Sequence, residues 1–126
     1  MEDICIQGAG IYPSVTFKTN GEIKLEGRAM PENASNFFQP LLFWAKNIDT
    51  KEINIEFNLE YFNTSVSKYL LDLFREFSEN KHIEKINILW MYEDGDDEML
   101  ESGKIFEEML PDFQFEFKEY AEVTDW

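Results

Sequence analysis

Cysteine, histidine and positive charge are what this 126-residue sequence has least of, and each shortage excludes something. With Cys5 alone there is no internal disulfide. Set in Ile4-Cys5-Ile6 with nothing beside it to hold a thiolate, it reads as a small buried hydrophobe rather than a nucleophile. His82 is the one histidine. As a general base it would need a positioned nucleophile and an orienting partner, and neither is recognisable, so it reads as a surface or helix-end residue. The sequence has no glycine-rich phosphate loop, no Cys/His cluster and no Gly-x-Ser-x-Gly elbow, so no motif supports enzymatic activity. Eleven basic residues against 26 acidic ones leave a net charge of -15, which repels nucleic acid and anionic membrane surfaces and favours partners with basic surface. No apolar run approaches the ~20 residues of a membrane span, and Met1-Glu2-Asp3 is acidic where a signal peptide is basic. The expectation is a cytoplasmic protein without membrane insertion.

What the sequence has is aromatic residues, 16% of the chain, enough with the other apolar residues to build one core; residues 1–126 are expected to form a single domain. Ile4–Ile6 reads as a short first strand. Val15 to Leu25 forms two alternating runs around Asn20-Gly21. A two-residue loop would set Phe17 against Lys24 and mix the faces. A three-residue loop, Thr19 to Gly21, sets Phe17 against Ile23 and Val15 against Leu25, so the spacing predicts that form with Gly21 left-handed. Asn33 stands ready to cap a helix with Phe37, Leu41, Trp44 and Ile48 on one face and Phe38, Leu42 and Ala45 beside it; Pro40 inside the run either kinks it or divides it. Glu52 to Leu59 is a strand by strict alternation. Val66, Tyr69, Leu70, Leu73, Phe74 and Phe77 then follow at helical spacing. Ile86 to Tyr92 is apolar on both faces, as an interior strand would be. An amphipathic helix carrying Met99, Leu100, Ile105, Phe106, Met109 and Leu110 comes next and stops at Pro111. Phe113, Phe115, Phe117 and Tyr120 mark a last strand, and Ala121 to Trp126 carries no signal.

Strand, hairpin, helix, strand, helix, strand, helix, strand implies an α/β fold: one mixed β-sheet with an N-terminal hairpin and about three main helices. Polar alternate positions at Glu22, Lys24, Glu52, Asn54, Glu56, Gln114 and Glu116 place the helices mainly on one face and leave the other exposed or open to a partner.

Two stretches invite a functional reading. Within Glu93 to Glu98 the acids Asp94, Asp96 and Glu98 alternate, but Gly95 is the second residue counted from Asp94, whereas a calcium-binding EF-hand loop needs glycine sixth and glutamate twelfth; the run reads as acids in the first turn of a helix. A small metal-dependent enzyme built on that run is the reading from another class. The second stretch is the corner Tyr61-Phe62-Asn63-Thr64-Ser65-Val66-Ser67-Lys68, where alternation gives way to helical spacing. Asn63, Thr64 or Ser65 serves as a helix cap there. The corner also offers hydroxyls at a helix N-terminus, where free backbone N–H groups favour an anion, with aromatic residues before them and a lysine after. Phosphorylation would add about -1.5 to -2 charges at a point where a partner docks against a neutral surface. No catalytic residue and no metal ligand is assigned.

Three pieces of the sequence, Gly27-Arg28 with Pro31-Glu32-Asn33, the corner itself, and Asp96-Asp97-Glu98-Met99-Leu100-Glu101, together resemble the SiaC-type regulatory phosphoproteins, a bacterial family with a fold similar to STAS domains and anti-sigma-factor antagonists. The resemblance spans nearly the whole chain; Met30 stands where the family typically has tyrosine. It implies a STAS-like switch without catalytic activity or resident cofactor. The implied phosphorylation site is Thr64, with Ser65 the alternative, and Tyr61, Phe62, Asn63, Ser65, Ser67 and Lys68 are the implied partner-binding residues. The implied partners are a serine/threonine kinase of the histidine-kinase-like ATPase type, a PP2C-type phosphatase, and a diguanylate cyclase that the unphosphorylated form binds and activates, so that cyclic-di-GMP output and biofilm formation follow its state. An anti-sigma-factor antagonist using the same corner is the alternative.

Overall fold

The computed structural model describes residues 1–121; the sequence signal sought in the tail beyond Ala121 lies outside them. The strands are β1 (Ile4–Ile6), β2 (Ser14–Phe17), β3 (Glu22–Ala29), β4 (Glu52–Phe62), β5 (Lys85–Glu93) and β6 (Phe113–Tyr120). The helices are α1 (Ala34–Asn47), α2 (Thr64–Glu79) and α3 (Asp97–Met109). The strands lie side by side in the order β1-β2-β3-β4-β5-β6. β1, β2 and β3 pair antiparallel, and β3 to β6 run parallel. Three successive crossovers advance in one direction, and with the right-handed sense that strand twist imposes they put all three helices on the same face.

The hairpin between β2 and β3 has the three-residue loop that the alternation requires, with Phe17 opposite Ile23 and Val15 opposite Leu25. Gly21 adopts φ +97°, and its N–H donates to the Lys18 carbonyl at 2.9 Å. A β-carbon on Gly21 would also collide with the Glu52 carbonyl of β4, so glycine is required twice at this position. α1 runs unbroken through Pro40, whose ring faces solvent. Loss of one helical donor on the wet side is tolerated there because Phe38, Leu41, Trp44 and Ala45 hold the other side in the core.

The core centres on the stacked rings of Phe57 and Trp90, 3.8 Å apart and nearly parallel. From each helix an aromatic ring comes down on the sheet: Trp44 edge-on to Phe17 at 5.1 Å, Phe74 against Phe57, and Phe106 against Trp90 at 5.4 Å. α3 reaches this depth because Gly103 has no side chain; a β-carbon there would strike the Trp90 indole and the Phe117 ring. The Trp90 Nε1–H donates to the Met99 carbonyl at 3.0 Å, so the buried indole is fully satisfied.

Three sequence expectations need correction. Cys5 is exposed, not buried. It sits on the short edge strand opposite Thr16, on the face the helices do not cover. β4 extends past Leu59 to Phe62. Its register to β3 jumps from Gly27 opposite Leu59 to Arg28 opposite Tyr61, so Glu60 is an extra residue, a β-bulge. One extra residue reverses the inside-outside parity, which is why alternation stops at Leu59 while the strand does not. Finally, Ile105 and Met109 lie outside the core, 58% and 44% exposed, although the helical pattern grouped them with Phe106.

Asn80, after α2, is a buried polar residue that joins two helix ends. Its Nδ2–H2 donates to the carbonyls of Ala45 at 3.0 Å and Ile48 at 2.9 Å, and its Oδ1 accepts from the His82 N–H at 2.9 Å. Asn80→Ala is expected to lower stability by about 2–4 kcal/mol, since two carbonyls at the end of α1 lose donors in a dry site. Urea unfolding checks this, with a shifted midpoint and an unchanged slope. Asn80→Asp, which turns acceptors toward those carbonyls, is expected to cost at least as much.

Candidate functional site

Because β3 to β6 are parallel, their carboxyl ends and the amino ends of the helices that follow them share one edge of the molecule. Each helix starts there with its own side-chain cap. Asn33 Oδ1 accepts from the Asn36 N–H at 3.1 Å, Asn63 Oδ1 from the Val66 N–H at 2.9 Å, and Asp96 Oδ1 from the Met99 N–H at 3.1 Å. The three sequence pieces that carry the family resemblance, far apart in the chain, thus belong to one edge.

At the start of α2, the Asn63 side chain satisfies Val66 and its carbonyl accepts from the Ser67 N–H at 2.9 Å. Capping therefore falls to Asn63 and leaves the next two hydroxyls free of that task. Thr64 and Ser65 are both exposed, and Ser67 is half-buried. Phe62 is turned inward by the bulge and packs edge-on against Phe57 at 6.0 Å, Trp90 at 6.4 Å and Phe106 at 6.4 Å. The corner is thus anchored by Phe62 and closed by Asn63, while Tyr61, Thr64, Ser65 and Lys68 face solvent.

Thr64, Ser67, Lys68 and Leu71 recur at helical spacing along one stripe of α2. Opposite them on α3 stand Ile105, Phe106 and Met109, and between the two helices lies a groove of about 320 Å³. Thr64 is among the residues that line it; Ser65, one residue on, is not. The sequence reading missed this groove. The available signal was an apolar arc on α3 too broad for the slot it fills, since Ile105 and Met109, four apart, extend past the buried line of Met99, Gly103 and Phe106.

The rest of the edge is strongly acidic. The Asp94 N–H donates to the Tyr120 carbonyl at 2.8 Å, which draws the two chain segments together. A hydrogen bond with Asp94, reinforced by the charge of that neighbour, raises the Glu119 carboxyl above its ordinary value. Burial, then the charges of Glu93, Glu60 and Asp96, push the Tyr120 hydroxyl up. Of the acidic run, Asp96 caps α3, and Asp97 and Glu98 lie in its first turn, where the helix dipole favours negative charge.

The family model described as SiaC family regulatory phosphoprotein matches residues 6–120. Three solved structures from Pseudomonas aeruginosa share the fold. Apo-SiaC is 20% identical, with a TM-score of 0.73 over 94% of this chain and 99% of that one. A second SiaC structure is 22% identical, with a TM-score of 0.75 over 97% and 100%. The third is a crystal structure of the diguanylate cyclase SiaD in complex with its activator SiaC; the matched chain is 22% identical, with a TM-score of 0.77 over 95% and 100%. Comparison with curated proteins gives no match.

The raised Glu119 carboxyl holds a proton in the folded state that the unfolded chain releases at lower pH, so its surroundings favour folding in acid and cost stability as pH rises through its titration. Glu119→Gln is expected to raise the melting temperature at pH 7, with the gain shrinking toward pH 4. Thermal melts at the two pH values check this.

Proposed function

The chain belongs to the SiaC family of regulatory phosphoproteins, and from that we propose that it is a non-catalytic cytoplasmic switch, phosphorylated on Thr64, whose unphosphorylated form binds and activates a diguanylate cyclase. The observation that carries this reading is the exposed Thr64 side chain in the lining of an apolar groove. Ile105 and Met109 offer a partner apolar surface there, next to Leu71 and the stem of Lys68. A phosphate on Thr64 sets a strongly hydrated dianion beside that surface, and a docked partner would have to desolvate it.

The corner tolerates the modification. With the Val66 and Ser67 N–H groups already bonded, the N–H groups of Thr64 and Ser65 at the positive end of the helix remain to meet the phosphate, and Lys68 lies one turn on. The change of state is therefore a change of surface charge, not an unfolding of α2. Phe62 and Asn63 keep the corner in shape, and Tyr61, Ser65, Ser67 and Lys68 provide the flank that kinase, phosphatase and cyclase read. A histidine-kinase-like ATPase supplies the phosphate from Mg-ATP, and a PP2C-type phosphatase removes it. The structure of SiaD with its activator SiaC supports the choice of a cyclase as target.

The test is binding of the variants to the SiaD-like cyclase of the same genome. Thr64→Glu is expected to weaken binding by about tenfold or more, roughly 1.4 kcal/mol, and Ser65→Glu by much less. Ile105→Asp is expected to weaken it comparably with an unchanged melting temperature, because the residue is outside the core. Mass spectrometry of protein from cells should locate the phosphate on Thr64. A phosphate on Ser65 or Ser67 alone, or recovery of an anti-sigma factor in place of a cyclase, overturns the assignment.

A further inference from the structure

The two outermost strands of the sheet differ in length. β1 offers three residues, whereas β6 runs for eight, in unbroken register with β5 and with no strand on its other side. The Tyr120 carbonyl accepts from the Asp94 N–H at 2.8 Å, so the backbone of Tyr120 points to the β5 side. By strand alternation Gln114, Glu116 and Lys118 do the same, and Phe115, Phe117 and Glu119 aim both N–H and C=O away from the sheet. No turn, cap or loop among the described residues bonds to the backbone of those three. The side chains alternate as well. Gln114, Glu116 and Lys118 stand exposed on the bare face, and among the described residues neither Glu116 nor Lys118 enters an ion pair. Phe115 and Phe117 lie half-buried on the helix face, with Lys104 Nζ 4.0 Å over the Phe117 ring.

We propose that β6 is a homodimer interface: it pairs antiparallel with β6 of a second copy about a two-fold axis at Phe117, joining two six-stranded sheets into one. Backbone parity allows only registers that set outward residues opposite outward residues, and charge chooses among them. With Phe117 opposite Phe117, Glu116 of each copy faces Lys118 of the other in the closely spaced, non-hydrogen-bonded position, α-carbons about 4.5 Å apart. Sliding one copy by two residues sets Glu116 against Glu116 or Lys118 against Lys118, like charges directly opposed. Sliding by four needs either residues past the end of β6 or the Phe113 N–H, which already donates to the Leu110 carbonyl at 3.0 Å. The remaining register sets Phe115, Phe117 and Glu119 opposite Glu119, Phe117 and Phe115, and each of these pairs exchanges two backbone hydrogen bonds. Glu116-Phe117-Lys118 is its own complement when reversed, which names a second copy as the occupant.

The helix face admits the approach. Gly103 packs on both Trp90 and Phe117, so α3 stands over the gap between β5 and β6, and the α3 helices of two copies lie two strand spacings apart, about 9.6 Å, within the range of packed helices. Lys104 is 4.0 Å from Glu107, so each of the like charges near the axis keeps a carboxylate, and the Glu119 carboxyl is turned back to Asp94. The Thr64 groove lies on the α2 side of α3 and stays open. The net charge of -15 on each copy opposes the approach at long range and is screened beyond about 8 Å at physiological ionic strength.

The test is sedimentation equilibrium and amide hydrogen exchange of the full chain as its concentration is raised. The expected result is a reversible monomer–dimer equilibrium that tightens with added salt. The N–H groups of Phe115, Phe117 and Glu119 should slow as dimer forms, while those of Gln114, Glu116 and Lys118, already directed to β5, stay unchanged. Glu116→Lys and Lys118→Glu, both at exposed positions, each put like charges opposite one another on both sides of the axis and should weaken the dimer about tenfold or more. The double variant, Glu116→Lys with Lys118→Glu, restores the opposite-charge pairs and should recover the affinity of the unaltered chain, with melting temperatures unchanged in all three. A monomer at every concentration up to about 1 mM, an open-ended polymer, single variants that dimerise undiminished, a double variant no tighter than the singles, or protection confined to other residues each overturns the proposal. Thr64→Glu should leave the equilibrium unchanged, so failure here leaves the phosphorylation reading standing, and failure of that reading leaves this one.

Discussion

Three crossovers that advance in the same direction impose most of what this molecule presents to its surroundings. Each parallel pair of strands needs a helix between them, and strand twist fixes the side on which that helix returns. With the strand order running straight from β1 to β6, the helices gather on one face and their amino ends line up along one edge. The buried core, the capped edge and the bare sheet face follow from this one constraint.

The aromatic core makes the arrangement rigid at the edge as well as the centre. Phe57 and Trp90 stack at the middle of the sheet, and Phe62, brought inward by the bulge at Glu60, adds a third ring to the cluster directly before the corner. Phe106 contacts that same cluster from α3. One packed group of rings therefore fixes both the strand that leads to Thr64 and the helix that forms the far wall of the groove. The Thr64 corner and its groove are therefore a preformed surface.

The edge and the open face differ in chemistry. The edge pairs an apolar groove with the first N–H groups of α2. The open face is ionic and amide-rich, with Lys24 and Lys85 paired to carboxylates.

Local chemistry was legible in the residues themselves. Alternation and helical spacing marked every strand and helix, the pairing of Phe17 with Ile23 chose the three-residue hairpin loop, and Asn33 and Asn63 stood where caps belong, because each of these depends on neighbours within a few residues. The polar alternate positions also announced that one sheet face would be bare. Long-range packing decided the rest. Whether Cys5 faces core or solvent, where β4 regains its parity after Glu60, and whether Ile105 belongs to the core or to a groove wall are settled by which element lies opposite, a fact that periodicity does not contain. The same holds for Asn80, whose amide has meaning only against the carbonyls of another helix, and for Thr64, whose groove exists only once α3 lies beside α2.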